Sequence, residues 1–153
     1  MSAESYAGPG VWIRIQHRFG PRMMEWFLAG HTAFWGAVLL YSDNLFEQPS
    51  WAGFRAIFGD AAFLGWTMAG LGLGLLRIGG LIVNGARKNV TPTIRQISAG
   101  IGFFIWCGIT YGYSSSGLIS TWLAIYPLFA LGELVNINRA AHDQGEARNG
   151  KSR

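Results

Sequence analysis

Four side chains that can carry charge lie inside long apolar stretches of this chain: Glu25, His31, Arg77 and Glu133. If those stretches cross a bilayer, each charge costs at least about 2.5–3.5 kcal/mol to insert, so each needs a partner or a route to the surface. Arg77 lies six residues before Val83, and Glu133 four residues before Ile137. At the helical rise this puts them about 9 and 6 Å from the inner ends of their stretches. Such similar depths predict an Arg77–Glu133 ion pair, with Glu25 as a further carboxylate nearby. His31 lies about 9 Å above Glu25 by the same rise. One chemistry for such a cluster is a proton or ion relay, with His31 titrating near neutral pH. The other is a neutralised structural pair, with Arg77 and Glu25 snorkelling toward the interface. The outer half of the apolar stretches offers only Thr32, Thr67, Thr110 and Ser120. A relay needs polar groups through the whole membrane, so the structural reading is favoured.

Other chemistry has little to stand on. The chain holds no HExxH, no cysteine or histidine cluster with metal spacing and no phosphate-binding loop, so neither a metal nor a cofactor is expected, and no catalytic residue is assigned. Gly70-Leu71-Gly72-Leu73-Gly74 opens like a dinucleotide fingerprint but lacks the third glycine and falls within an apolar stretch. Ser114-Ser115-Ser116-Gly117 reads as a turn, since no base stands beside it. Cys107 is the single cysteine and has no internal partner for a disulfide.

The elements that must position the four groups are apolar runs at Met23–Tyr41, Ala61–Val83, Ile97–Tyr113 and Leu118–Ile137. A hydrocarbon core of about 30 Å needs about 20 helical residues, with a working range of about 17–25. Charged residues make up 13% of the chain against 50% hydrophobic, and the charges gather in tails and loops. A soluble domain usually carries about 25% charge. The expected fold is therefore all-α: a polytopic bundle of four transmembrane helices at 23–137, with short interfacial helices. Residues 1–22 form a basic cytoplasmic tail, and 138–153 a polar one. The residues after the first run (Leu39 to Asp43) do not fit a signal cleavage site, so that run is expected to stay as an anchor.

Ten of the twelve Lys and Arg residues fall in the N-terminal tail, the 84–96 loop and the C-terminal tail. The 42–60 loop has only Arg55, and Arg77 lies within a run. The positive-inside rule then places both termini in the cytoplasm. The same placement explains the net charge of +4 without nucleic acid, which is not an expected partner. Val11, Trp12, Ile15 and Phe19 suggest a surface helix before Gly20-Pro21. Trp51, Phe54, Ile57 and Phe58 suggest a second interfacial turn, with Asp60 placed to cap the next span. Thr91-Pro92 marks a helix start, and the glycosylation pattern Asn89-Val90-Thr91 falls in a cytoplasmic loop. Tyr41, Trp51, Tyr111, Tyr113 and Trp122 fit an outer aromatic belt.

Without a hydrophobic drive between helices in lipid, close backbone approach matters more. Small residues at helical spacing offer it: Ala29, Ala33 and Ala37; Gly70 and Gly74; Ser98 and Gly102; Gly108 and Gly112. They are expected to pack the bundle, with dimerisation as the other use. Pro127 in the fourth run cannot donate to the carbonyl of Leu123, and a kink is the expectation there.

The stretch Arg77–Gly85, then Phe104-Ile105-Trp106, Tyr126-Pro127 and Glu133–Ala141, resembles a group of small tetraspanning proteins encoded by tailed bacteriophages and prophages. The likeness covers the last half to two-thirds of the chain. It implies a bacterial inner membrane as location and brings no established activity. The expected function is thus non-enzymatic association in that membrane, as a phage accessory protein. Its partners would be the lipid bilayer and a second copy or another membrane protein. The alternatives are a holin-like pore former, and a small proton-coupled transporter or intramembrane enzyme built on the four ionisable groups.

Overall fold

The computed structural model describes residues 22–41, 44–86 and 92–150, all-helical with no strand among them. The surface helix expected at 11–19, the basic pair Arg87-Lys88 and the Asn89-Val90-Thr91 pattern lie outside the described residues. Six α-helices follow in order: α1 Met23–Leu39, α2 Ala52–Phe58, α3 Ala62–Thr67, α4 Leu73–Ala86, α5 Pro92–Ser114 and α6 Tyr126–Gly150. Glu25 stands in the first turn of α1, where the helix dipole favours a carboxylate. Helix α5 opens on Pro92, whose missing N–H would have no helical partner in a first turn.

Between α3 and α4 the helix widens into a π-turn at Met68–Gly72, so α3 and α4 form one continuous rod with an irregular middle. Such wide turns are rare and have identifiable causes. Here the cause is the crossing of α1. A Cβ on Gly36 would overlap the backbone nitrogen of Leu71, and one on Gly74 would overlap the backbone of Ala33. Gly70 meets Gly36 in the same contact. Only residues without a side chain let two backbones approach this closely. The seam runs along Ala29, Ala33 and Gly36, whereas Ala37 is only half-buried.

Helices α5 and α6 form the most extensive pairing, and α1 packs on α4, on the wide turn and on α6. Helices α4 and α5 scarcely touch. At the outer end, Gly59 adopts φ +56°, a left-handed conformation that glycine tolerates best, and this reverses the chain between α2 and α3. Gly117 (φ +74°) does the same between α5 and α6.

Four expectations change. Trp51 and Phe54 insert into the bundle, while the rest of α2, Gly53 apart, stays exposed. Trp51 and Tyr113 therefore belong to the interior, not to an aromatic belt, which leaves Tyr41, Tyr111 and Trp122 facing outward. Asp60 caps nothing; it sits inside a tight turn, and α3 starts without a side-chain cap. The fourth apolar run is not one helix. Residues 118–120 are non-helical, a tight turn follows at Thr121–Ala124, and α6 begins at Tyr126. Pro127 is thus in the first turn, where its missing N–H costs nothing and no kink is required. Helix α6 then continues thirteen residues past Ile137 into the polar tail.

The outer half of the core is aromatic. Phe54 packs on Trp51 (4.5 Å between ring centroids), Tyr113 (4.8 Å) and Trp66 (5.2 Å). The Trp66 Nε1 donates to the Phe54 carbonyl at 3.1 Å, tying α3 to α2. Gly112 and Gly108 are sockets: a Cβ there would lie 2.8 Å from the Phe54 ring and 2.9 Å from the Trp66 ring.

Replacing Gly36 by leucine should lower stability in detergent by more than the roughly 1–3 kcal/mol of ordinary overpacking, since backbone atoms must separate. Leucine at Gly72, where a Cβ meets nothing within 4 Å, should leave the melting temperature nearly unchanged. Equal effects of the two changes would disprove the α1–α4 seam.

Candidate functional site: a buried polar network

Arg77 projects from α4 into the middle of the bundle, and 6% of it is exposed. Each of its three guanidinium nitrogens reaches an oxygen on a different helix. Nη2 pairs with Glu133 Oε1 on α6 at 2.5 Å. Nε donates to Ser98 Oγ on α5 at 3.2 Å, and Nη1 to Thr32 Oγ1 on α1 at 3.4 Å. The Thr32 hydroxyl in turn donates to the Leu28 carbonyl at 2.7 Å, which fixes its orientation along α1. Asn136, one helical turn beyond Glu133, donates from Nδ2 to Glu133 Oε2 at 3.2 Å. Glu133 is fully buried. Gly102 is the opening through which α6 and α4 meet, because a Cβ there would overlap both Glu133 Oε1 and Arg77 Nη1.

A second knot closes the inner end. The Arg95 Nε donates to both carboxylate oxygens of Glu25, at 3.0 and 3.2 Å. Its Nη2 also bonds Glu25, and its Nη1 bonds Asp143. Beside it Gln144 donates to Thr93 at 3.2 Å. Burial by itself would lower the Arg95 pKa, but hydrogen bonds and opposite charge from Glu25 and Asp143 outweigh it and push the value up. Arg95 therefore stays charged, and it ties α1, α5 and α6 together.

Of the four groups read from the sequence, Arg77 and Glu133 meet. Glu25 stands apart from them, taken by Arg95. His31 belongs to neither knot. It is half-buried among rings, 4.7 Å from Phe129, 5.5 Å from Trp106 and 5.9 Å from Phe27. Ser98, named for its small size, serves as an acceptor. Arg95, Asn136 and Asp143 were not expected in the site. Two of them had a signal: Thr91-Pro92 already puts Arg95 on the first turn of a helix, and Asn136 stands three residues after Glu133, on the same face. No group of three His, Cys, Asp or Glu side chains that could hold a metal occurs among the described residues.

The arrangement holds charge in place. Two cations and three carboxylates are consumed by mutual pairing across all four long helices, and above them the interior is filled by rings. Comparison of the chain with protein-family models, with curated proteins and with solved structures finds no match.

Breaking a buried pair from one side leaves an uncompensated charge and typically costs about 3–5 kcal/mol. Arg77→Met and Glu133→Leu should each destabilise the protein to that degree, and the double variant should lose much less than their sum. Additive losses in detergent melting would mean the two side chains do not interact. For His31, phenylalanine should preserve stability while alanine loses the ring contacts, worth about 0.5–1.5 kcal/mol per pair. If phenylalanine proved as damaging as alanine, the imidazole nitrogens rather than the ring would matter.

Proposed function

We propose that this chain is a multi-pass protein of a bacterial inner membrane, with four membrane helices and both termini in the cytoplasm. It acts by association rather than by catalysis, as a phage accessory protein. One observation carries the membrane reading: every long helix turns large apolar side chains outward, while a charged and polar network is buried within. Phe34 on α1, Leu76 on α4, Phe104 on α5 and Leu128 on α6 are between 62 and 74% exposed. Arg77, Glu133, Asn136 and Thr32 are at most 6% exposed. Water would favour the opposite arrangement, and large apolar surface on every long helix calls for an apolar solvent.

The run Pro49–Ile82 is by length and composition long and apolar enough to cross a membrane, and with the chain turning at Gly59 the part that would cross is the α3–α4 rod. Only 33% of its most apolar window is buried, unlike a core helix of a soluble protein. The other long helices are shorter or carry more polar residues. Helix α1 has 17 residues, and the inner half of α6 is polar. Their span is supported by geometry instead. From Arg95 to Tyr113, α5 rises about 27 Å, and from Tyr126 to Asp143, α6 rises about 26 Å. These lengths approach the hydrocarbon thickness of about 30 Å. The charge knot at Arg95 marks one end of both helices, and the Tyr113–Tyr126 stack, 5.5 Å between centroids, marks the other.

A non-enzymatic role is supported by the pairing of Arg77 with Glu133 and of Arg95 with Glu25 and Asp143, which holds these charges in mutual contacts. The phage assignment rests on the sequence resemblance.

Reporter fusions after residue 153 and within residues 42–60 should report cytoplasm and periplasm respectively, and a periplasmic C-terminus would overturn the threading. Controlled expression should produce neither abrupt lysis nor pH-dependent ion flux. Lysis would establish the holin reading, and flux abolished by Glu133→Gln would establish transport.

A further inference from the structure

The gap between α4 and α5 is a groove of about 800 Å³ on the inner half of the bundle. Its walls are Leu73, Leu76 and Leu81 from one helix and Ile94, Ile97 and Ile101 from the other. Gly79 and Gly80 open it further, since a Cβ at either position would meet nothing within 4 Å. The volume lies in the range of about 300–1,000 Å³ typical of ligand sites, and so does the pattern of an apolar lining with a few polar groups. Those polar groups are uneven in sign. Arg77, Arg95 and Ser98 line the groove, whereas Glu25, Glu133 and Asp143 do not. Each carboxylate comes from α1 or α6 and not from the two helices that wall the groove. The groove is therefore an apolar trench lined by two arginines and none of their carboxylate partners.

On the reading of this chain as a membrane protein, we propose that the α4–α5 groove binds one anionic phospholipid of the inner leaflet. An acyl chain lies along Leu73, Leu76 and Ile101, and the phosphate sits at the Arg95 end. Basic pockets between membrane helices on the cytoplasmic side are suited to anionic head groups. Arg95 already shares its nitrogens between two carboxylates, and Asp143 is the exposed one of the two, 49% accessible at its side chain. A lipid phosphate can take the place of Asp143 while Glu25 stays bound. The lipid would also supply the packing that α4 and α5 do not give each other, coupling two helices whose direct link is the Arg77–Ser98 hydrogen bond.

The test uses the full-length protein extracted in mild detergent and doped with either phosphatidylglycerol or phosphatidylcholine of matched chains. Native mass spectrometry reads the lipid retained. Wild-type protein should keep one phosphatidylglycerol, at least tenfold more often than phosphatidylcholine. Gly80→Leu, which fills the groove without meeting a neighbour, should abolish retention while the fold is unchanged by circular dichroism. Asp143→Asn should leave retention intact or raise it. Equal retention of the two lipids would overturn the head-group assignment, and undiminished retention by Gly80→Leu would overturn the groove. A dimer that disappears with Gly80→Leu would mean that a second copy fills the groove instead, which also overturns the proposal. Recovery of the protein in the soluble fraction would remove the membrane reading beneath it; membrane-extracted protein that retains no lipid would remove the lipid site alone.

Discussion

A guanidinium with three hydrogen-bonding edges, buried among four helices, leaves them little freedom of register. Arg77 must find an oxygen for each edge or remain an uncompensated charge in a low-dielectric interior. Thr32, Ser98 and Glu133 supply those oxygens from α1, α5 and α6. Sliding any one of these helices by a turn would remove its oxygen by about 5.4 Å. The apolar contacts elsewhere are forgiving, since leucine against leucine packs acceptably at several registers. The arginine is not. This pair therefore acts chiefly as a specificity device, which is the best-attested use of buried ionic groups; as a source of net stability, such pairs contribute little over apolar packing.

Two other features follow from meeting that requirement. Helix α5 must come close enough for Ser98 to bond Nε, yet stay out of the path between Arg77 and Glu133. Gly102, one turn from Ser98, meets both conditions by having no side chain. On the other side, α1 must approach α4 closely enough for Thr32 to reach Nη1. Gly36, Gly70 and Gly74 allow that approach, and the wide turn at Met68–Gly72 is the local distortion of α4's lead-in at the closest point.

Much of the fold was legible in the sequence because hydropathy and charge report on solvent, and solvent decides which segments are helical and which ends are polar. The depth comparison of Arg77 with Glu133 worked for the same reason: rise per residue converts position into height when helices stand roughly parallel. The failures share a cause as well. Trp51, Phe54 and Tyr113 have side chains suited either to an interface or to an interior, and only the fold of α2 back onto Gly112 separates the two. Pro127 could kink a helix or begin one, and the decision lay with the tight turn capped by Ser120, whose hydroxyl accepts from the Trp122 N–H at 3.3 Å. The partner of Glu25 was missed because Arg95 read as a loop charge, although its helix starts three residues earlier. The π-turn had no signal beyond a run of glycines.

The two charge knots and the aromatic layer divide the bundle into zones with different rules. In the outer half, Trp35 stacks on Phe54, and Trp66 and Tyr113 meet these rings edge to face, across α1, α2, α3 and α5. Aromatic edges and faces attract whether or not charge is present, and this zone excludes water by volume alone. In the inner half, α4 and α5 stand apart, linked by the Arg77–Ser98 hydrogen bond and by their packing on α1 and α6. The protein is thus closed at one end and split at the other, with its cations placed at the split. Opening α4 away from α5 would stretch the Arg77 contacts, so whatever occupies the trench also bears on the register that those contacts set.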